Sequence, residues 1–259
     1  MIIDTHCHAG INWFEPVENL IFQMDNNSVD KAVLIQHKGS TNQYLYECLN
    51  RFSNKFSIVP ALNWDENLES QLKEFKDNGA SGIRIYLDYP EIFNKKGDDL
   101  FKSCAEKNLV ISIASNLKTF GSLDFRKLIE RNSKTNFIIE HLSGANNFSK
   151  DKNSDDYFNN VLKMSINNNL YIKIPGLGEI YERPNILDFN YPFHDADSNL
   201  IKKVLNSFSS KFLMWGSDFP PVSNREGYKN ALEGIYNLSF FNKEDKENIF
   251  SIVPEKLFF

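Results

Sequence analysis

Eight short apolar segments alternate along the chain with longer amphipathic segments, and this alternation limits the possible folds most strongly. The apolar segments have the length of β-strands, whereas the segments between them carry apolar residues at helical spacing. Strands that alternate with helices pair in parallel through crossover connections, and about eight such units close into a barrel. The predicted strands are Ile2–Cys7, Lys31–Gln36, Phe56–Leu62, Ser81–Leu87, Leu109–Ser115, Asn136–His141, Leu170–Pro175 and Phe212–Ser217.

The helical segments complete this pattern, and we predict one α/β domain, a (β/α)8 TIM-type barrel, over residues 1–259. A doubly wound open sheet is the alternative. It is disfavoured because no glycine-rich phosphate-binding loop follows an early strand. The predicted helices are Val17–Met24, Gln43–Phe52, Leu68–Asn78, Leu100–Lys107, Phe125–Asn132, Asp156–Asn167, Ser198–Ser207, Gly227–Tyr236 and Asn242–Ile252.

Composition excludes several classes of function. The 259 residues are 41% hydrophobic and 24% charged, which is typical of a globular protein. A net charge of -5 argues against a nucleic-acid-binding protein. No apolar run approaches the ~20 residues of a membrane helix, and we expect no signal peptide because a site motif begins almost at residue 1. Three widely spaced cysteines predict reduced thiols in the cytoplasm, at Cys7, Cys48 and Cys104.

The first strand carries two histidines at alternate positions. Residues two apart in a strand share a face, so Asp4, His6 and His8 are predicted on one side and Thr5 and Cys7 on the other. Imidazoles at the end of an apolar strand are costly to bury unless they bind a metal or a polarised oxygen. Two hydrogen-bonded structural histidines are the alternative.

A matching carboxylate follows the last predicted strand. Gly216 and Ser217 open a turn there, and Pro220 cannot continue a strand ladder, so Asp218 lies just past the strand end. Such an Asp on its own is usually a helix cap or a turn former. Together with the His-x-His strand it is interpreted as an active-site carboxylate.

Other strand ends add candidate residues, because the active sites of such barrels form at the carboxyl ends of the strands. His141 follows the sixth strand and is predicted to be catalytic. Arg84 and Tyr86 share a face of the fourth strand and are predicted to bind substrate, since an arginine suits a carboxylate. A structural salt bridge is the alternative for Arg84. Lys173, in the seventh strand, is either a buried ion-pair partner or a catalytic group.

A long irregular segment follows the seventh strand, from residue 176 to residue 196. Loops of this length are often lids or binding loops, although a surface excursion is equally consistent with the pattern. His194 lies in this segment and is the third predicted substrate ligand.

Three segments resemble the amidohydrolase superfamily, in particular its amidohydrolase-2 branch. The resemblance implies a (β/α)8 barrel. It also implies that His6, His8 and Asp218 match metal ligands of metal-bearing members, and that His141 matches a residue of catalysis or ligation. The segments, in the family's order, are Ile3-Asp-Thr-His-Cys-His8, Ile138-Ile-Glu-His-Leu-Ser-Gly144 and Met214-Trp-Gly-Ser-Asp-Phe-Pro220.

One departure from the family pattern concerns the metal. Metal-dependent members have a further histidine at the end of the fifth strand, where this chain has Ala114. Zinc usually takes three or four protein ligands, so we expect one weakly held divalent metal or none. A subgroup that resembles 2-pyrone-4,6-dicarboxylate hydrolase and the sugar lactonases also lacks this histidine, and some of its members work without metal. Its Lys-x-Ser-Gly signature corresponds to Lys173-Ile-Pro-Gly176, with proline in place of serine.

The resemblance therefore implies a hydrolase that opens a lactone or a related ester. Asp218 would activate water, and His6, His8 and His141 would polarise the carbonyl. The alternatives are a metal-dependent amidohydrolase or decarboxylase of the same superfamily, and a catalytically silent ligand-binding barrel. The expected partner is a small-molecule substrate, with a carboxylate if Arg84 binds it, and neither nucleic acid nor membrane. A homo-oligomer is left open.

Overall fold

All eight predicted strands are present, each within its predicted segment. The computed structural model describes residues 1–11, 14–147, 151–182, 193 and 198–259. The strands are β1 (Ile3–Cys7), β2 (Lys31–Ile35), β3 (Phe56–Val59), β4 (Gly82–Tyr86), β5 (Val110–Ala114), β6 (Phe137–Ile139), β7 (Leu170–Ile174) and β8 (Leu213–Trp215).

Helices surround the strands, and each predicted helix has a counterpart. The helix predicted at Leu100–Lys107 begins earlier, at Lys95. The helix predicted at Asn242–Ile252 includes a π-helical turn at Asn248–Ile252 and continues into α12. The single-turn helices α5 and α8 were not predicted. The helices are α1 (Val17–Asn26), α2 (Gln43–Arg51), α3 (Leu68–Asp77), α4 (Lys95–Glu106), α5 (Leu117–Phe120), α6 (Leu123–Arg131), α7 (Ser154–Lys163), α8 (Leu177–Ile180), α9 (Asn199–Phe208), α10 (Tyr228–Tyr236), α11 (Lys243–Glu247) and α12 (Val253–Phe258).

The strands close into a parallel barrel, which excludes the open-sheet alternative. β1 to β3 form one ladder and β4 to β8 form another. The ladders join at two seams, through isolated bridges between Ala61 and Arg84 and between Cys7 and Phe219. At the second seam, the His8 backbone N donates to the Phe219 carbonyl at 2.7 Å. The fold is a (β/α)8 barrel, as the strand–helix alternation predicts.

Strand β1 departs from strict alternation, because its pairing with β2 shifts between Asp4 and Cys7. Asp4 does not join His6 and His8 in the cluster. Its Oδ1 instead accepts hydrogen bonds from the backbone N atoms of His6 at 3.1 Å and Ser217 at 2.9 Å. The predicted common face of Asp4, His6 and His8 is therefore wrong, and the shift in register explains why.

The barrel interior is divided into an apolar end and a polar end. Helix α12 covers the amino-terminal ends of the strands, where Glu255 forms an ion pair with Lys31, the first residue of β2, at 3.1 Å. Buried polar side chains occupy the other half, and they belong to the site. The apolar layer consists of Val33, Ile35, Val59, Val110, Ile138, Tyr171, Met214, Val253, Leu257 and Phe258.

Two further sequence predictions concern the cysteines and the membrane. Cys7, Cys48 and Cys104 are buried and unpaired with one another, in agreement with the predicted thiols. Across the described segments, every helix is too short or too polar to cross a bilayer.

Gly216 permits the close approach of β8 to β1. A Cβ atom there would lie 2.6 Å from the Cβ of His6 and 3.0 Å from its backbone N. We therefore expect Gly216→Ala to reduce the free energy of unfolding by about 1–3 kcal/mol, the usual cost of overpacking. Thermal unfolding would measure this. Gly10→Ala is the control, because its added Cβ meets no atom closer than 3.4 Å. Equal stability of the two variants would contradict the packing argument.

Candidate active site

The carboxyl ends of β1, β6 and β8 bring together the four predicted catalytic residues. Asp218 Oδ1 lies 3.3 Å from His8 Nε2 and 3.9 Å from His6 Nε2. The ring of His141 contacts that of His6, with centroids 4.5 Å apart. Side chains from the beginning, middle and end of the chain thus meet in one cluster.

Two of these residues have left-handed backbone conformations. Asp218 has φ of 60° and His141 has φ of 51°. Non-glycine residues rarely adopt this region, and such outliers cluster at functional sites. The Asp218 backbone N also donates to the His6 carbonyl at 2.8 Å, so the turn is tied directly to β1.

His8 presents a lone pair to Asp218. Its Nδ1 lies 2.7 Å from the Ile35 carbonyl, which can only accept, so Nδ1 carries a proton. Burial lowers the pKa of His8, although the contact with Asp218 opposes this effect. Neutral His8 therefore directs the unprotonated Nε2 at a carboxylate oxygen, an arrangement that a cation between the two would stabilise.

The distances among the donor atoms of His6, His8 and Asp218 also fit a divalent metal. Donor atoms of His6, His8 and Asp218 all lie within 4.8 Å of one another. His6 Nε2 is buried, and it has no hydrogen-bond partner within the described segments. Ala114 ends β5 and supplies no donor atom, as the sequence predicts.

Asp218 is held in its ionised form. Burial alone would raise the pKa of its carboxyl group, but the hydrogen bond that His8 donates when its ring is protonated, together with the charges of His141 and Arg225, outweighs burial and lowers it to about 2. Arg225 Nη1 donates to Oδ2 at 3.0 Å. The carboxylate is therefore available as a base at any physiological pH, although its affinity for a proton is low.

His141 is held in its protonated form. Its Nδ1 lies 2.9 Å from Glu179 Oε1, in α8. Burial opposes protonation, but the Glu179 carboxylate outweighs it and raises the pKa of His141 to about 9. Arg225 Nη2 lies 3.5 Å from Glu179 Oε2 and links this pair to Asp218.

Sequence reasoning did not identify Glu179 or Arg225. Glu179 lies within the segment 176–196, whose unusual length was the only signal for it. Arg225 lies seven residues after Asp218, in a turn, and no sequence pattern predicts a functional role for it. Both residues act through contacts with a predicted residue.

Arg84 forms a structural salt bridge, which was the alternative to its predicted role in substrate binding. Its Nε and Nη2 donate to Glu140 Oε2 at 3.2 and 2.7 Å, and its Nη1 donates to the Gln36 carbonyl at 3.1 Å. Burial would raise the pKa of Glu140, but the charges of Arg84 and Lys173 lower it to about 2. Substrate binding by Arg84 stays a prediction.

Lys173 extends this buried network to His6, one of the predicted catalytic residues. Its Nζ lies 3.3 Å from His6 Nδ1 and 3.3 Å from Ser112 Oγ. Ser112 Oγ donates to Glu140 Oε1 at 2.6 Å. Burial, only partly offset by the Glu140 carboxylate, lowers the pKa of Lys173 to about 8.

Tyr86 lies between the cluster and a cavity of about 540 Å³ beside it. The Arg84 guanidinium lies over its ring, 5.0 Å from the centroid. His194, the remaining predicted substrate ligand, lies outside the described residues. The cavity walls come from the segments after β2, β3 and β4 and include Lys38, Thr41, Asn42, Trp64, Gln71, Tyr86 and Tyr89.

Comparison with known proteins bears on the family and the fold. The family model described as Amidohydrolase matches residues 3–259. A candidate 2-pyrone-4,6-dicarboxylic acid hydrolase from Acinetobacter baumannii, with citric acid bound, has a TM-score of 0.79 at 18% identity, covering 99% of this chain and 98% of that one. A candidate 2-pyrone-4,6-dicarboxylic acid hydrolase from Pseudomonas putida has a TM-score of 0.81 at 17% identity, covering 99% of this chain and 96% of that one.

Two further similarities differ in what they cover. A Burkholderia multivorans amidohydrolase with bound zinc has a TM-score of 0.83 at 12% identity, covering 99% of this chain and 98% of that one. A sequence relative, the Ycf2 protein of Physcomitrium patens, is 21% identical over 253 residues, which are 93% of this chain and 10% of that protein. The chain thus spans about a tenth of that relative's length. The structural similarities, all under 25% identity, show the fold alone.

Glu226 is a buried carboxyl group beside the site that no predicted role involves. It is 7% exposed and packs into a gap left by two glycines, since a Cβ at Gly176 or Gly178 would lie under 2 Å from its oxygens. Neither oxygen has a hydrogen-bond partner in the described part of the chain. Burial raises its pKa to about 7, although Arg225 opposes the shift.

This raised pKa predicts a pH-dependent stability. The folded state keeps the Glu226 proton up to about pH 7, whereas the unfolded chain releases it near 4.5, so stability is lost as the pH rises between these values. We expect Glu226→Gln to increase the free energy of unfolding by about 3 kcal/mol at pH 8 and by only about 1 kcal/mol at pH 5. Denaturant unfolding at both pH values measures this, with exposed Glu91→Gln as control. An equal effect of Glu226→Gln at both would contradict the prediction.

Proposed function

The chain belongs to the amidohydrolase family, and from that premise we propose that it opens a lactone or a related carboxylic ester by attack of water. One observation carries this proposal: an ionised carboxylate, Asp218, and a protonated imidazole, His141, lie side by side, with donor atoms within 4.8 Å of each other. Ester hydrolysis needs a group that accepts a proton from water and a group that stabilises the oxyanion. The structural similarity to candidate pyrone-dicarboxylate hydrolases supports the same reaction class.

Asp218 acts as the general base in this proposal. It takes a proton from the attacking water while Arg225 and the surrounding histidines fix its orientation. A carboxylate with so low a pKa is a weak base, which suits an ester better than an amide because an ester carbonyl is more electrophilic. Cys7 offers no alternative nucleophile, since burial raises the pKa of its thiol well above the usual range.

The three histidines surround the position proposed for the carbonyl oxygen. His141 is an imidazolium whose Nδ1 is bonded to Glu179, which leaves Nε2–H to donate to the developing oxyanion. His6 Nε2 is buried in the same cluster and can donate beside it. His8 polarises the carbonyl directly only when protonated, and when neutral its Nε2 holds a lone pair towards Asp218.

His6, His8 and Asp218 would hold a divalent metal such as zinc, with Ala114 leaving the site one ligand short of related metal centres. A bound zinc ion would supply Lewis-acid polarisation of the carbonyl. The convergence of three donors also favours the second candidate function, a metal-dependent amidohydrolase or decarboxylase reaction. Zinc-dependent cleavage of amides or release of carbon dioxide, without lactone turnover, would identify that alternative.

Substrate selection is proposed to involve Arg84, Tyr86 and His194. The cavity beside Tyr86 has room for the part of the substrate away from the reacting carbonyl. A carboxylated small molecule is the proposed partner, with Arg84 as its ligand.

We also propose a location and a domain organisation. The free thiols support a protein that works in the cytoplasm. Residues 1–259 are proposed to form one catalytic domain.

The role of Asp218 predicts a specific loss of activity. Removing a general base typically costs ~10²–10⁴-fold in rate, and we expect Asp218→Asn to lose at least this much in kcat. The measurement is a pH-indicator assay over aldonolactones, muconolactone-type lactones and pyrone carboxylates, with a chelator and with added zinc.

The control for this variant is Asp156→Asn, an exposed residue of α7 that should retain full activity. Circular dichroism checks that Asp218→Asn keeps the fold. Full lactone turnover by a folded Asp218→Asn protein would contradict the assigned role, and a wild-type protein inactive on every lactone would contradict the reaction class.

A further inference from the structure

The two histidines of β1 differ in what their second ring nitrogen contacts. His8 Nδ1 donates to a backbone carbonyl, that of Ile35, at 2.7 Å. His6 Nδ1 instead faces the amine of Lys173, whose Nζ lies 3.3 Å away. Metal-bound histidines almost always donate this second N–H to an acceptor, which fixes the ring with its other nitrogen free for the metal. His8 follows that rule and His6 does not.

The direction of the hydrogen bonds around Lys173 is set by the network behind it. Glu140 is ionised and paired with Arg84, so its carboxylate only accepts. Ser112 therefore gives its hydroxyl proton to Glu140 Oε1, at 2.6 Å, and accepts from Lys173 at 3.3 Å. Lys173 lies at the donating end of this chain, and an ammonium group has donors but no acceptor.

We propose that Lys173 is a positioning residue that holds His6 in the tautomer protonated at Nε2. In that tautomer Nδ1 accepts from Lys173 and Nε2–H points away from Lys173, into the cluster. His6 then acts as a hydrogen-bond donor to a substrate oxygen, and it can join His8 and Asp218 as a metal ligand only after the proton leaves Nε2. The inference rests on the proposed function only for the identity of that oxygen, an ester carbonyl.

The surroundings of His6 Nε2 support this tautomer. The side chain is 2% exposed, and Nε2 has no hydrogen-bond partner in the described segments. Its distance of 3.9 Å from Asp218 Oδ1 is too long for a hydrogen bond. A buried N–H without an acceptor is costly, and a substrate oxygen bound at this position would remove the cost.

The same contact explains how a His-x-His strand could have a low affinity for metal. To ligate through Nε2, His6 must move its proton to Nδ1, where it would meet the donors of Lys173. Changing the group behind a metal-bound histidine typically alters affinity by 10–100-fold. The amine of Lys173 thus reinforces the effect of Ala114, through a different ligand.

The test replaces Lys173 with glutamine, whose amide oxygen can accept from His6 Nδ1–H. In protein labelled with 15N-histidine, long-range 1H–15N spectra at one neutral pH distinguish the two tautomers. The chain has five histidines, and His6→Asn identifies the His6 signals. We expect the Nε2–H form in wild type and the Nδ1–H form in Lys173→Gln. We also expect zinc to bind Lys173→Gln about 10–100-fold more tightly in equilibrium dialysis.

Three further variants complete the experiment. Lys203→Gln, an exposed position of α9, makes the same change of charge away from the site and should match wild type. Lys173→Arg keeps the donor and should keep the Nε2–H form. If Lys173→Gln does not fold, Lys173→Met replaces it, because an apolar chain of similar length removes the donor and should also tighten zinc binding.

An Nδ1–H tautomer in wild type, an unchanged tautomer in the glutamine variant, or unchanged zinc affinity would each overturn the inference. None of these readouts needs a substrate. Absence of lactone turnover, with the expected tautomers and zinc affinities, would therefore contradict the proposed function and leave the role of Lys173 intact.

Discussion

The backbone pairing between β1 and the turn after β8 is the interaction on which the site depends. The Asp218 N–H donates to the His6 carbonyl at 2.8 Å and the His8 N–H donates to the Phe219 carbonyl at 2.7 Å, so the bonds that close the barrel also set the carboxylate against the two imidazoles. Gly216 allows this approach because it has no side chain. The same hydrogen bonds therefore close the barrel and place Asp218 beside His6 and His8.

Two charge networks then give the clustered residues different states. The charges of His141 and Arg225 keep Asp218 ionised, while Glu179 keeps His141 protonated, and Arg225 contacts both carboxylates. On the other side of His6, the Arg84–Glu140 pair supports Ser112 and Lys173. In the proposed mechanism, an acceptor for a proton and donors for an oxyanion thus lie in one cluster without neutralising each other.

The sequence allowed prediction of the parts that follow from local pattern. Apolar runs located all eight strands, and strand ends located His6, His8, His141 and Asp218. The parts that depend on side chains meeting across the barrel were missed. Glu179 and Arg225 have no local signature, the shift in β1 turns Asp4 away from the histidines, and the His6 contact of Lys173 requires knowing which strands face each other.

The pH dependence of kcat/KM for a lactone substrate tests most directly the claim that Asp218 is the base and His141 the protonated donor. With a pKa of about 2 for Asp218, about 9 for His141 and about 8 for Lys173, we predict constant activity through the acid and neutral range and a loss between about pH 8 and pH 9. Glu179→Gln should move that loss to lower pH, since it removes the carboxylate that keeps His141 protonated. A rise in activity centred near pH 6.5, the usual pKa of histidine, would contradict the account, because it would identify a histidine as the base.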